Sequence, residues 1–145
     1  MRYNEIFDKK NIFFISYISF FAVFCLAYFI LSSQGSFYSG IAGISLIILY
    51  PIGAFLYGYK TGDRFRAPLA GIISYAFLIL FAVISISFHN PPGVGNLFLF
   101  AGYHLVLLIG LGMIGFLASG KEKMYQAVAG LLSIAWILIF LSGIS

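Results

Sequence analysis

Five long apolar stretches without a single Lys, Arg, Asp or Glu set the terms for this chain: Ile12–Leu31, Phe37–Tyr59, Pro68–Phe88, Leu97–Ala118 and Tyr125–Ser142. They run from 18 to 23 residues, and about 20 mostly apolar residues are needed for a helix to cross about 30 Å of hydrocarbon. Strands of a membrane barrel would be about half as long and would alternate polar with apolar residues. These stretches do not alternate, so the expected fold is all-α: a polytopic protein with five transmembrane helices. The connections are short, which makes residues 1–145 a single transmembrane domain with no separate soluble unit expected.

Composition agrees. Charged residues make up 8% of the chain and hydrophobic residues 62%, against about 25% charged in an ordinary soluble domain. A cytosolic enzyme, a nucleic-acid-binding domain and a disordered tail are all excluded on that ground.

The placement of charge predicts orientation. Arg2, Lys9 and Lys10 precede span 1, Lys60, Arg64 and Arg66 separate spans 2 and 3, and Lys121 and Lys123 separate spans 4 and 5. The alternate connections carry no basic residue. The positive-inside rule therefore puts the N-terminus in and the C-terminus out, in the cell membrane. The net charge of +4 fits basic loops against anionic lipid headgroups better than nucleic acid. Span 1 has the basic start of a signal peptide, but its 20 apolar residues exceed the usual h-region. It is expected to stay as an anchor helix.

An internal similarity is also visible. Ala70-Gly71-Ile72-Ile73-Ser74-Tyr75-Ala76-Phe77-Leu78-Ile79-Leu80-Phe81 aligns without gaps to Ala129-Gly130-Leu131-Leu132-Ser133-Ile134-Ala135-Trp136-Ile137-Leu138-Ile139-Phe140. Spans 2–3 and spans 4–5 then read as duplicated helical hairpins, parallel repeats about an axis along the membrane normal.

Helices in lipid associate through small residues that let backbones approach. At 100° per residue, each span presents such a stripe. Ser16, Ser19, Val23 and Ala27 mark span 1. Ser39, Gly43, Tyr50, Ala54 and Gly58 mark span 2, and Ala67, Gly71, Ser74, Ala82 and Ser85 mark span 3. In span 4 the stripe is Ala101, His104, Leu108, Gly112, Gly115 and Ser119; in span 5 it is Ala127 and Gly130. Gly43, Ala54, Gly58, Gly71, Gly112, Gly115 and Gly130 are thus the expected packing positions. The G-x-G-x-x-G formed by Gly110, Gly112 and Gly115 belongs to this set, because a dinucleotide site would need it on a strand-to-helix turn. Pro51 falls inside span 2 and denies the carbonyl of residue 47 its donor.

His104 is the one ionisable residue placed deep in a span, tyrosines and cysteine aside, which makes it a functional-site candidate. Tyr50, Tyr75, Tyr103 and Ser74 are expected to bring hydroxyls near it, as a polar or proton/ligand site or as interhelical glue. His89 and His104 supply at most half a metal site, and no carboxylate or thiol lies beside them to complete it. They also differ in depth, as a pair of haem ligands would not. Cys25 is alone and reads as a small packing residue. No catalytic motif is present, so neither an enzyme nor a cofactor is expected.

Two functions remain. The first is a non-catalytic subunit or interaction partner within a larger membrane complex. The alternative is a small oligomeric transporter or channel with His104 in or near its path.

Overall fold

The computed structural model describes residues 2–33, 37–89 and 94–143. Among them are five α-helices: α1 (Arg2–Ser33), α2 (Phe37–Thr61), α3 (Arg66–His89), α4 (Val94–Ala118) and α5 (Lys123–Ser142). All five are long and apolar enough to cross a membrane, over Lys9–Ser32, Gly40–Thr61, Arg66–Ile84, Phe98–Ala118 and Lys123–Ser142. The chain has the architecture of a multi-pass membrane protein. Residues 90–93 and the side chains of Ser39, Ser85 and His89 lie outside the described residues.

The helices end for local reasons. At the close of α2, Gly62 takes a φ of +57°, a left-handed conformation that suits glycine, and its N–H donates to the Gly58 carbonyl at 2.9 Å. Asp63 then caps α3: its Oδ1 accepts from the N–H groups of Phe65 and Arg66, both at 3.1 Å. Between α4 and α5, Ser119 and Gly120 turn the chain through N–H bonds to Gly115 and Leu117. The Gln126 side chain closes the turn by donating to the Gly120 carbonyl at 3.1 Å. Pro51 sits buried inside α2, which continues through it.

α4 packs against α2, α3 and α5, while α1 lies against α2 and α3. The tightest crossings are at the end carrying the basic turns, called here the basic end. A Cβ on Gly58 would run into the Gly115 carbonyl oxygen, and one on Gly115 into the Ala67 carbonyl oxygen. A Cβ on Gly71 would lie 2.9 Å from the Leu111 oxygen and 3.2 Å from the Ala54 Cβ. One on Gly112 would meet Ile72 Cδ1 at 3.0 Å. At these places backbone sits on backbone, as close packing in lipid requires.

The far end is looser around α2 and the start of α4, although a Cβ on Gly143 would run into the Tyr103 ring. A Cβ on Gly40 or Gly102 would meet no described atom within 4 Å, and one on Gly43 would meet the Tyr28 ring first, at 3.4 Å. Nearer the basic end of α5, a Cβ on Gly130 would also meet no described atom within 4 Å, against expectation, and α5 instead buries Ala129, Ser133 and Trp136.

Span 1 departs from expectation in which face it gives to the bundle. Ser16, Ser19, Val23 and Ala27 are exposed. α1 turns in its aromatic face, with Phe21 and Cys25 buried and Tyr17 beside them. Gly53 explains the choice: a Cβ there would lie 2.7 Å from Tyr17 Oη and 2.9 Å from Phe21 Cζ. The missing side chain is on α2, and the large rings of α1 fill its notch.

Candidate functional site

The loose far end leaves a cavity of about 520 Å³ to which all five helices contribute. Its walls include Tyr28 from α1, Gly43, Ile47 and Tyr50 from α2, Leu78 and Ala82 from α3, His104 from α4 and Phe140 from α5. None of the lining residues carries a formal charge, with His104 neutral. Ile47 is also the residue whose carbonyl Pro51, having no N–H, cannot satisfy.

His104 is held from behind. Tyr75, fully buried on α3, places its hydroxyl 2.7 Å from His104 Nδ1. Phe100 packs edge-on to the imidazole at a centroid distance of 4.2 Å, and Tyr103 does so at 5.2 Å. Tyr75 is itself fixed by rings from three directions. Tyr50 meets it at 5.4 Å, Trp136 at 5.6 Å and Phe140 at 6.4 Å, all close to perpendicular. Trp136 is anchored in turn, its Nε1–H donating to the Leu107 carbonyl at 2.8 Å.

Of the residues expected at the site, the structure brings His104 and Tyr75 into direct contact and sets Tyr50 against Tyr75. Tyr103 is adjacent, but its hydroxyl turns away and donates to the Phe140 carbonyl at 2.9 Å. Ser74 is buried on a different face of α3, beside Tyr17. One participant escaped sequence reasoning. Cys25, read as packing, has its Sγ 2.7 Å from the Tyr50 hydroxyl. Nothing in a lone cysteine's context signals such a partner 25 residues away.

A second cavity of about 410 Å³ lies between α1 and α2 and reaches Lys60 at the basic end. Tyr17, Phe21, Gly53 and Tyr57 line it. Phe21 in the wall of the second cavity stacks on Tyr50 in the wall of the first, with centroids 5.1 Å apart and planes 23° from parallel. The hydroxyls of Tyr17, Tyr57 and Ser74 are buried without a hydrogen-bond partner among the described residues. Tyr17 and Tyr57 have ring centroids 5.0 Å apart.

Among the described residues no three His, Cys, Asp or Glu side chains gather as a metal site would require. Comparison with protein-family models, curated proteins and solved structures gives no match. The functional reading therefore rests on the bundle itself.

Proposed function

We propose that this chain binds a small, largely apolar solute inside the bundle and serves as a small membrane carrier or the binding unit of one. The observation that carries the reading is the far-end cavity. Its volume falls in the range of about 300–1,000 Å³ usual for ligand sites, and like them it is mostly apolar with a few converging polar groups. His104 and Tyr50 are those groups. The glycine crossings hold the helices together at the basic end while the cavity lies towards the far end, and on this reading the solute enters from that side. The Phe21–Tyr50 pair is the barrier a solute passes on its way to the second cavity.

The basic turns set the direction. With Lys60, Arg64, Arg66, Lys121 and Lys123 on the cytoplasmic side, the cavity opens towards the outside of the cell membrane. We also read α2–α3 and α4–α5 as a duplicated hairpin. In support, the aligned Ala70 and Ala129 are both fully buried.

The test uses cysteine labelling in sealed cells with an impermeant thiol reagent. Ala82→Cys, in the cavity wall, should react from outside, as should Asn96→Cys. Thr61→Cys, at the basic end, should react only after permeabilisation. Failure of Ala82→Cys to react from outside, or labelling of Thr61→Cys in intact cells, removes the reading.

A second reading, an accessory subunit of a larger membrane complex, is favoured by α1. Its exposed Ser16, Ser19, Val23 and Ala27 border a shallow groove of about 350 Å³ on the bundle surface, and small residues are what helix–helix contacts in lipid use. Extraction in mild detergent separates the two. Stoichiometric foreign subunits favour the accessory role, and a homo-oligomer favours the carrier.

A further inference from the structure

The hydrogen bond behind His104 fixes what the imidazole offers in front. Tyr75 Oη and His104 Nδ1 lie 2.7 Å apart, and either can be the donor. If Nδ1–H donated, the Tyr75 O–H would be a donor without an acceptor at a residue that is 0% exposed. A buried unmade donor is the more costly arrangement. If Tyr75 donates, its O–H is used, Nδ1 accepts, and the remaining proton sits on Nε2. That nitrogen is on the ring edge away from Tyr75, and His104 is part of the cavity wall. His104 is half-buried and lines the cavity, and with Nδ1 taken by Tyr75, Nε2 is the nitrogen left to meet a guest.

The rest of the wall limits the guest. No lining residue carries a charge to balance an ion, and a buried ion without a counter-charge is strongly disfavoured. Phe140 and Tyr50 present aromatic surface, and Ile44, Leu46 and Leu78 present aliphatic surface. Aromatic rings pack well edge-on or offset against such walls.

We propose that the cavity takes a neutral ring compound carrying a carbonyl-type acceptor, which receives the hydrogen bond of His104 Nε2–H, with Tyr75 as the positioning residue that sets the tautomer. The proposal rests on the cavity being a ligand site, as read above, and adds the chemical class of the ligand. A quinone-like carbonyl on a flat apolar ring meets every requirement of the wall.

The experiment compares two probes of one shape, 2,3-dimethyl-1,4-naphthoquinone and 2,3-dimethylnaphthalene. Substitution at both ring positions keeps the quinone from alkylating Cys25. Trp136 is the only tryptophan of the chain and stacks on Phe140 at 5.3 Å, so its fluorescence in nanodiscs reports occupancy. The quinone should quench it saturably, and the hydrocarbon should compete about fivefold to tenfold more weakly, the worth of one net hydrogen bond. His104→Phe should erase that preference, bringing the quinone-to-hydrocarbon affinity ratio close to one. Tyr75→Phe should shrink it, because the tautomer is no longer fixed. Ala82→Phe, which fills the cavity without touching His104, should abolish binding of both probes.

Equal affinity for the two probes in the native chain overturns the acceptor proposal and leaves the cavity reading standing. A preference that survives His104→Phe does the same. Absence of saturable binding by either probe overturns both.

Discussion

Two glycines of the bundle, Gly115 and Gly130, should respond to the same substitution with opposite signs. At Gly115 an added Cβ runs into the Ala67 carbonyl oxygen, with the Ala67 carbonyl carbon at 2.7 Å and the Pro68 nitrogen at 3.1 Å. These are backbone atoms and cannot rotate aside, so α3 and α4 must separate. A gap of about 0.5–1 Å forfeits a quarter to a half of the dispersion well at each contacting pair, and overpacking of this kind costs about 1–3 kcal/mol. The upper part of that range applies, because the Gly115 oxygen is also the surface on which Gly58 rests. Alanine returns about 1 kcal/mol of helix propensity. Gly115→Ala should therefore lose about 1–2 kcal/mol net. At Gly130 a Cβ meets no described atom within 4 Å, and only the propensity gain of up to about 1 kcal/mol remains. Unfolding of both variants by steric trapping in bicelles measures the difference directly. Equal shifts of the same sign would refute the reasoning, since they would mean that close backbone contact at the basic end does not hold the bundle together.

Three further outcomes follow from named side chains. Tyr57→Phe removes a buried hydroxyl that has no partner among the described residues, so it should raise stability by about 1 kcal/mol in the same unfolding assay; a fall would show that the hydroxyl is bonded. Cys25 is 1% exposed and should resist maleimide in the folded protein. Cys25→Ala, which strips the Tyr50 hydroxyl of its partner, should destabilise by about 1–3 kcal/mol, and Cys25→Ser should recover part of that loss. Phe21→Ala takes away half of the stacked pair between the two cavities, at about 3–5 kcal/mol of stability. It should let a thiol reagent supplied from the basic end reach Ala82→Cys, and labelling from the far end alone would show that Phe21 is not the barrier.

The five helices were legible because the bilayer imposes a length and a composition that few other structures share. The expected spans agree with the helices to within a few residues, except that α1 begins at Arg2 rather than Ile12. Apolar length alone says nothing about a polar turn that continues a helix beyond its hydrocarbon stretch. His104 was also within reach, since one ionisable residue on a glycine-bearing face is conspicuous. Its partner was named only as one of several tyrosines. Sequence spacing places residues on a face of their own helix, and Tyr75 Oη reaches Nδ1 through the mutual rotation of α3 and α4, which no single-helix pattern contains.

The aligned repeats show the same gap between face and environment. Gly71 and Gly130 occupy equivalent positions in the sequence, yet one touches the Leu111 carbonyl and the other touches nothing within 4 Å among the described residues. Ser74 and Ser133 are equally matched, yet Ser133 donates to the Ala129 carbonyl at 2.9 Å while Ser74 has no partner among the described residues. Both differences have one cause. α3 packs its backbone closely on α1, α2 and α4, whereas the close backbone approaches of α5 are to α2 and α4 and it meets α3 through Trp136 and Phe140 against Tyr75, so the aligned motif meets more neighbours in α3 than in α5. Aligned motifs that meet different neighbours do not close a bundle evenly. Here the glycines close it at the basic end, while Tyr75, Trp136 and Phe140, too large for such contacts, stand at and above the middle. Phe140 is the one of those rings that lines the cavity beside His104, and α4 and α2 supply its polar edge through His104 and Tyr50.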